Sequence, residues 1–94
     1  MTRITNKDLE AVVARINRAT DSPDTSWTRT DAGMKANIGN YHISGAYGGV
    51  SLHRMVTDGG GITDVFSCGH ITKRDLYDRM QAYLAGLSDA EGYL

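Results

Sequence analysis

The stretch Tyr41-His-Ile-Ser-Gly-Ala-Tyr-Gly-Gly-Val-Ser-Leu-His-Arg-Met55 decides the fold, because it joins two β-forming runs through a glycine-rich corner. Aromatic and β-branched residues alternate with polar ones here, and a period of two predicts strands rather than a helix. We expect one strand from Met34 to Ile43 and another from Val50 to Thr57, with the corner Ser44–Gly49 between them. One face of the second strand then carries three apolar residues, Val50, Leu52 and Val56.

Two shorter strands extend this pair on either side. Ser26–Arg29 is expected to form an edge strand, and Asp31–Gly33 turns it into the long strand. On the other side, Asp58–Gly61 forms a turn that leads into a last strand, Ile62–Ser67. Glycine and aspartate are common in such turns, so the segment predicts a four-stranded antiparallel meander.

Helical periodicity appears at the two ends of the chain. Apolar residues recur at helical spacing from Asn6 to Ala19, and Thr5 with Asp8 resembles a capping box at the start of this helix. Thr72 with Asp75 repeats the arrangement for a second helix that ends near Gly86, with residues 88–94 as a loose extra turn. Both helices are expected to cover one face of the sheet, which leaves the other face for water, a ligand or a partner.

Length limits the chain to one core. Its 94 residues are predicted to form a single domain, 1–94, of the α+β class: a four-stranded antiparallel meander with an N-terminal and a C-terminal helix packed on one sheet face. A chain this short buries only roughly 60 to 65 % of its unfolded surface. Association into a homo-oligomer would bury more, and we expect it.

The amino-acid composition limits the classes of partner and the cellular location that we expect. Ten Lys and Arg residues stand against eleven Asp and Glu without a basic run, which disfavours a nucleic-acid partner. The lone Cys68 cannot form an internal disulfide, and the polar start Met1–Lys7 lacks the apolar run of a secretory signal. No stretch reaches the roughly 18 apolar residues of a membrane span. We therefore expect a cytoplasmic protein with no membrane partner.

Glycine, tyrosine, histidine and arginine gather in and beside the central strand pair, and they form the predicted site. An aromatic ring can stack on a base, a guanidinium can hold phosphate, and glycine lets an anion approach backbone N–H groups. The predicted ligand-binding residues are Tyr41, Tyr47, Gly48, Gly49, His53 and Arg54. The competing interpretation is that the glycines only form tight turns. Because alternation places Tyr41 and His42 on opposite faces, one pocket would need a second copy to complete it.

No recognisable catalytic or metal-binding motif is present. Cys68-Gly-His70 brings a thiol and an imidazole together in sequence, but residues this close seldom reach catalytic geometry, and no second Cys completes a zinc site. The aspartates lie mainly in predicted turns. We predict no catalytic residue, no metal and no cofactor, and the pattern favours a binding protein over an enzyme.

Several segments carry a resemblance to known proteins. They are Asn37–Met55, Gly59–Gly61, Lys73–Tyr77 and Met80–Leu87. Through them the chain resembles, over nearly its whole length, a family of small proteins of unassigned activity from tailed bacteriophages. The resemblance implies synthesis in the cytosol of a bacterial host, and it assigns no site residues.

In that context we expect a counter-defence protein that sequesters a nucleotide-type immune signalling molecule. Tyr41 or Tyr47 would stack on the base, Arg54 would hold phosphate, and Gly48 and Gly49 would donate backbone N–H groups. A first alternative is a small inhibitor that binds a host protein through the uncovered sheet face. A second is a phosphodiesterase-like enzyme that degrades such signals, in which case the ligand would not be recovered intact.

Overall fold

Residues 3–92, described by a computed structural model, form two helices and five strands. The elements are α1 (Asn6–Ala19), β1 (Trp27–Thr30), β2 (Gly33–Ala36), β3 (Tyr41–Ala46), β4 (Gly49–Met55), β5 (Ile62–Asp64) and α2 (Lys73–Gly92). β1 and β2 form an antiparallel hairpin, and β3, β4 and β5 form a separate antiparallel sheet in that order. The α+β class is confirmed.

The single four-stranded meander is wrong, because the predicted strand Met34–Ile43 is divided by a turn at residues 37–40. Gly39 has a φ of +95°, which bends the backbone out of an extended conformation. The Asn37 amide donates to the Thr25 carbonyl at 2.9 Å. The Asn40 amide donates to the Pro23 carbonyl at 2.7 Å, so both side chains tie the turn to the loop before β1. The chain therefore forms a two-stranded hairpin and a three-stranded sheet.

The last strand is shorter than the predicted Ile62–Ser67. The Asp64 carboxylate accepts hydrogen bonds from the N–H groups of Phe66, at 3.3 Å, and Gly69, at 2.9 Å. These contacts fold the backbone into a turn directly after β5. At the end of β4, Val56 lies outside the strand and is 46 % exposed, so it does not join Val50 and Leu52 in the core.

Helix α1 has the predicted bounds, and its capping box is confirmed. The Thr5 hydroxyl accepts from the Asp8 N–H, and the Asp8 carboxylate accepts from the Thr5 N–H. At the start of a helix, these two N–H groups have no carbonyl partner within the helix. The capping box gives each of them a hydrogen-bond acceptor. The hydrogen bonds from Thr5 lower the pKa of Asp8.

Helix α2 begins as predicted and ends later. The Asp75 N–H donates to the Thr72 hydroxyl at 3.1 Å, as the expected N-cap requires. The helix passes through Gly86 and continues to Gly92, so the predicted end near Gly86 and the loose turn from Ser88 are wrong; residues 93–94 lie outside the described part. One glycine costs a helix about 1 kcal/mol relative to alanine, too little to end it alone. Neither helix is long and apolar enough to cross a membrane over the described residues.

Both helices pack on one face of the three-stranded sheet. Helix α1 lies against β3, helix α2 lies against β4, and the two helices contact each other. The buried cluster between them contains Leu9, Val12, Val13, Ile16, Tyr41, Val50, Leu52, Leu76, Met80 and Leu84. Because side chains alternate along a strand, this packing leaves the residues one position away on the opposite face.

A buried asparagine fastens α1 to the sheet. The Asn17 amide donates to the Tyr41 carbonyl at 3.1 Å, and its carbonyl oxygen accepts the Tyr41 N–H at 2.8 Å. Asn17 is 2 % exposed, so water cannot replace either bond. The side chain thus satisfies both backbone groups of a strand residue as a neighbouring strand would.

We predict that Asn17→Ala lowers the free energy of unfolding by about 2 to 4 kcal/mol, because it leaves a buried N–H and a buried carbonyl without partners. Urea unfolding followed by circular dichroism measures the change. Arg15→Ala, on the exposed side of the same helix, is the control and should change stability by less than about 0.5 kcal/mol. Equal effects of the two substitutions would contradict the role of Asn17.

The hairpin of β1 and β2 is attached to the rest of the protein at the turn between β4 and β5. The Ala36 N–H donates to the Asp58 carbonyl at 3.1 Å. The Trp27 ring lies against Gly60, where an added Cβ would be 2.7 Å from the ring. Gly60 also has a φ of +98°, so it serves both the turn and the contact with the ring.

We predict that Gly60→Ala lowers the free energy of unfolding by about 1 to 3 kcal/mol, because the methyl group displaces Trp27 and the residue must keep a left-handed φ. Gly59→Ala is the matched control, since a Cβ there meets no atom of the described residues within 4 Å. Fluorescence of Trp27, the only tryptophan, reports its displacement during the same urea titrations. Equal stability of the two variants would contradict the packing described.

Candidate functional site

The register of β3 against β4 separates two sets of side chains. Tyr41 lies opposite Arg54, and Ile43 lies opposite Leu52, on the face covered by the helices. His42 lies opposite His53, and the alternation of side chains directs this pair to the other face. A cross-strand pair of histidines therefore occupies the sheet face away from the helices.

A two-residue turn, Tyr47-Gly48, connects these strands. Ala46 pairs with Gly49, and both turn residues have positive φ, 55° for Tyr47 and 76° for Gly48. This is the geometry of a type I′ hairpin turn, in which asparagine followed by glycine is the favoured sequence. Tyr47 takes the position that asparagine usually occupies, and its side chain is fully exposed.

Four rings form a continuous row that starts on this sheet face and ends at the turn. The centroids are 5.9 Å apart for His42 and His53, 6.1 Å for His53 and His70, and 6.2 Å for His70 and Tyr47. Each neighbouring pair meets at 70° to 84°, an edge-to-face arrangement. We call His42, His53, His70 and Tyr47 the ring row.

His70 reaches the row because the segment after β5 returns to β4. Val50 and Ile71 form a β-bridge, with N–H to carbonyl distances of 2.8 Å in both directions. Gly49 permits this approach, since a Cβ there would lie 3.0 Å from the His70 carbonyl carbon and the Ile71 oxygen. The His70 Nε2 then lies 3.4 Å from the Ser44 hydroxyl.

A buried asparagine orients His42. Asn40 is 1 % exposed; its amide donates to the Pro23 carbonyl, and its oxygen accepts the Ser26 hydroxyl at 2.8 Å. The same oxygen lies 3.3 Å from His42 Nδ1 and can only accept, so Nδ1 carries a proton. In the neutral ring, Nε2 is then free to accept a proton or a hydrogen bond.

Asp64 lies opposite His53 on the neighbouring strand β5. Burial opposes ionisation of this carboxyl, but its pKa is lowered because hydrogen bonds from Gly69 and Phe66, the Ser51 hydroxyl and the nearby His53 together outweigh burial. The Ser51 hydroxyl is fully buried and has no partner in hydrogen-bond geometry among residues 3–92, so its effect on Asp64 is that of a nearby dipole.

The environment of the histidine pair disfavours its charged form. Burial lowers the pKa of His42, and the neighbouring His53 lowers it further. Burial also lowers the pKa of His53, and His70 adds to this, while Asp64 opposes it. Both rings are therefore mainly neutral at pH 7, with lone pairs that can accept hydrogen bonds or protons.

Two predicted site residues, Tyr41 and Arg54, lie together on the helix-covered face. Tyr41 is 2 % exposed, its hydroxyl lies 2.8 Å from the Tyr83 hydroxyl, and burial together with this bond raises its pKa to about 12. The Arg54 guanidinium carbon lies 4.8 Å from the centre of the Tyr41 ring, and its Nε donates to the Gly39 carbonyl at 3.2 Å. Both side chains are thus engaged within the fold.

The other predicted residues are divided between the turn and the ring row. Tyr47 and Gly48 form the exposed turn, Gly49 packs against the returning segment, and His53 belongs to the row. The structure therefore brings Tyr47 and His53 into one array and separates them from Tyr41 and Arg54.

Sequence reasoning left His42, Ser44 and His70 out of the site. The first two follow from the pairing of Ala46 with Gly49, which places His42 opposite His53 and Ser44 opposite Ser51. His70 carries no local signal, because it joins the row through the long-range bridge between Val50 and Ile71. Its neighbour Cys68 is partly buried and lies 3.7 Å from the Gly69 carbonyl.

Neither metal-ligand geometry nor comparison with known proteins assigns a role to the ring row. Within residues 3–92, no three His, Cys, Asp or Glu residues are arranged to hold a metal ion. No protein-family model, curated protein or solved structure matches the chain.

We predict that the free energy of unfolding falls as the pH is lowered from about 7 to 5. The folded-state pKa values of His42 and His53 lie below the ordinary 6.5, so their neutral forms stabilise the fold above that pH and the contribution is lost on acidification. Urea unfolding at several pH values measures the slope. The pKa values of Asp8 and Asp64 are lowered from the ordinary 3.8, so these carboxyls titrate below this pH range and do not contribute to the slope.

The double variant His42→Gln/His53→Gln should flatten this slope, because glutamine keeps hydrogen-bonding groups and does not titrate. A wild-type slope of zero, or the same slope in the double variant, would contradict the assignment.

Proposed function

We propose that the protein is a phage-encoded counter-defence protein that binds a nucleotide-type immune signalling molecule on the ring row and sequesters it without converting it. The phage context comes from the resemblance described above. The observation that carries the binding proposal is the conformation of Tyr47, a fully exposed aromatic residue at a positive φ of 55°.

Tyr47 costs the fold stability where asparagine or glycine would not. A left-handed conformation is unfavourable for a bulky residue by about 1 kcal/mol, and the side chain buries no surface in return. Strain at an exposed residue indicates a role outside the fold. An exposed ring is a surface on which any base can stack, since every base has a π face.

The neighbouring imidazole of His70 supplies polar groups that a stacked base also needs. Its centroid lies 6.2 Å from that of Tyr47, while His53 and His42 lie further along the row. An imidazole can accept and donate hydrogen bonds, which complements the mixed edge of a base. We therefore place the ligand on the ring row, with Tyr47 as the stacking ring out of the two predicted tyrosines, Tyr41 and Tyr47, and without the predicted contact to Arg54.

A homo-oligomer remains part of the proposal, since a second copy could cover the other side of a base stacked on Tyr47. Native mass spectrometry of the protein purified from a bacterial cytosol reports the number of copies and any ligand together. Under the sequestration proposal, heating the complex returns the ligand unchanged.

The alternative of a host-protein inhibitor is favoured by a different observation. Several large apolar side chains are 42 to 61 % exposed: Trp27, Met34, Ile38, Val56 and Ile62. Such residues suit a protein partner better than a nucleotide. A stoichiometric host protein bound to a chain that carries no nucleotide would favour this alternative, and turnover of the ligand would favour the phosphodiesterase-like one.

We predict that Tyr47→Asn weakens binding of a dinucleotide probe, adenylyl-(3′→5′)-adenosine (ApA), by about tenfold or more, because stacking on an aromatic side chain is worth about 1 to 3 kcal/mol per base. The same substitution should leave the free energy of unfolding unchanged or raise it by up to about 1 kcal/mol, because asparagine suits the turn better. Isothermal titration calorimetry measures the first quantity, and urea unfolding measures the second.

Ile38→Asn is the matched control, since it removes an exposed apolar side chain from another turn. It should leave the affinity for ApA unchanged. Unchanged affinity in Tyr47→Asn would rule out the ring row as the base-binding surface, and a loss of stability comparable to that of a core substitution would show that Tyr47 serves the fold.

A further inference from the structure

We propose that the His42 and His53 end of the ring row is a phosphate subsite, which binds the phosphodiester group of a nucleotide ligand with uptake of protons. This inference rests on the proposed function, because it assigns the ligand's base to Tyr47 and His70 and its phosphate to the other end of the row. It gives His42 and His53 the phosphate-binding role that the sequence analysis assigned to Arg54.

The spacing of the two imidazoles fits one phosphate group. Their centroids are 5.9 Å apart, and the planes are nearly perpendicular at 84°. A charge-assisted N–H to oxygen bond spans about 2.7 to 2.9 Å, so two rings at this separation can contact two oxygens of the same phosphate. Because the rings belong to paired strands, the sheet holds their separation.

His42 is already oriented for this contact. The Asn40 oxygen accepts a hydrogen bond from the Nδ1 N–H, so a second proton on His42 goes to Nε2, which has no hydrogen-bond partner among residues 3–92. Asn40 is itself buried and held by Ser26 and Pro23, so the ring does not need to be ordered when the ligand binds. Such preorganisation reduces the entropy cost of binding.

The charged and titratable groups around His42 make it the better half of the subsite. His53 faces it from β4, while His70 and Tyr47 lie further along the row. Asp64 lies on the far side of His53 from His42, two strands away, so the backbones of Asp64 and His42 are about 10 Å apart. Its oxygens already accept two backbone N–H groups. Arg54 lies on the opposite face and contributes no direct contact.

Proton uptake follows from the change in local charge. In the free protein, burial keeps both rings mainly neutral near pH 7; repulsion by His53 adds to this at His42, and repulsion by His70 adds to it at His53 against the opposing effect of Asp64. A bound phosphodiester brings one negative charge between them, and an opposite charge favours the protonated form of each ring. By linkage, each proton taken up makes the affinity rise by about tenfold for every unit by which the pH falls, between the pKa values of the free and bound states.

The test uses two probes, adenosine and ApA, which share a base and differ in the phosphodiester. The phosphodiester does not titrate between pH 5.5 and 7.5, so any pH dependence in this range belongs to the protein. Isothermal titration calorimetry in two buffers of different ionisation enthalpy counts the protons taken up. For ApA we expect one to two protons and at least a tenfold gain in affinity from pH 7.5 to 6; for adenosine we expect about none.

His42→Gln separates the subsite from a general effect of charge. It should reduce the proton uptake with ApA by about one and leave adenosine binding unchanged, while Arg29→Gln, which removes an exposed cation on β1, should change neither quantity. His53→Gln gives a second, independent variant if His42→Gln is unstable. Circular dichroism and urea unfolding confirm that each variant is folded.

The two proposals fail in different ways. Binding of both probes with equal affinity and no proton uptake would overturn the phosphate subsite and leave the base-binding proposal standing. ApA binding with proton uptake that persists in both His→Gln variants would also overturn the subsite. No binding of either probe would overturn the proposed function and the subsite together.

Discussion

The two-residue turn at Tyr47-Gly48 sets the register on which the rest of the sheet depends. Pairing of Ala46 with Gly49 places Ile43 opposite Leu52 and His42 opposite His53. Because side chains alternate, the first pair lies under the helices and the second lies on the other face. A shift of one residue would exchange the two sets, burying imidazoles and exposing the core. One backbone turn therefore separates the structural face of the sheet from the candidate binding face.

Elements that are fixed by residues close together in the sequence could be predicted from the sequence. Helix α1 has both a capping box and an apolar stripe within its own sequence, so its bounds could be predicted to the residue. The turn at residues 37–40 depends instead on amide contacts from Asn37 and Asn40 to residues 12 to 17 positions away. Periodicity does not report such contacts, and the run from Met34 to Ile43 therefore looked like one strand.

The candidate site was only partly predictable for a similar reason. A glycine-rich corner was recognised, but its register was not, because Tyr-Gly differs from the asparagine-glycine pair that usually identifies a type I′ turn. With that register, His42 and Ser44 follow from counting along the strands. His70 does not, since a long-range bridge brings it to the row. The sequence suggested that Arg54 is available to bind a ligand, whereas in the structure its guanidinium packs on the Tyr41 ring.

Asn17 also has a consequence for the outer edge of the sheet. β3 is an edge strand, and the Tyr41 N–H and carbonyl that point away from β4 are both bonded to the Asn17 amide. An exposed edge of this kind is a template for pairing with another chain. The Asn17 side chain of helix α1 thus blocks strand pairing at this position of the edge. Any fluctuation that detaches α1 uncovers the same backbone groups, so partial unfolding at this helix is the step that would make the protein prone to strand exchange or aggregation.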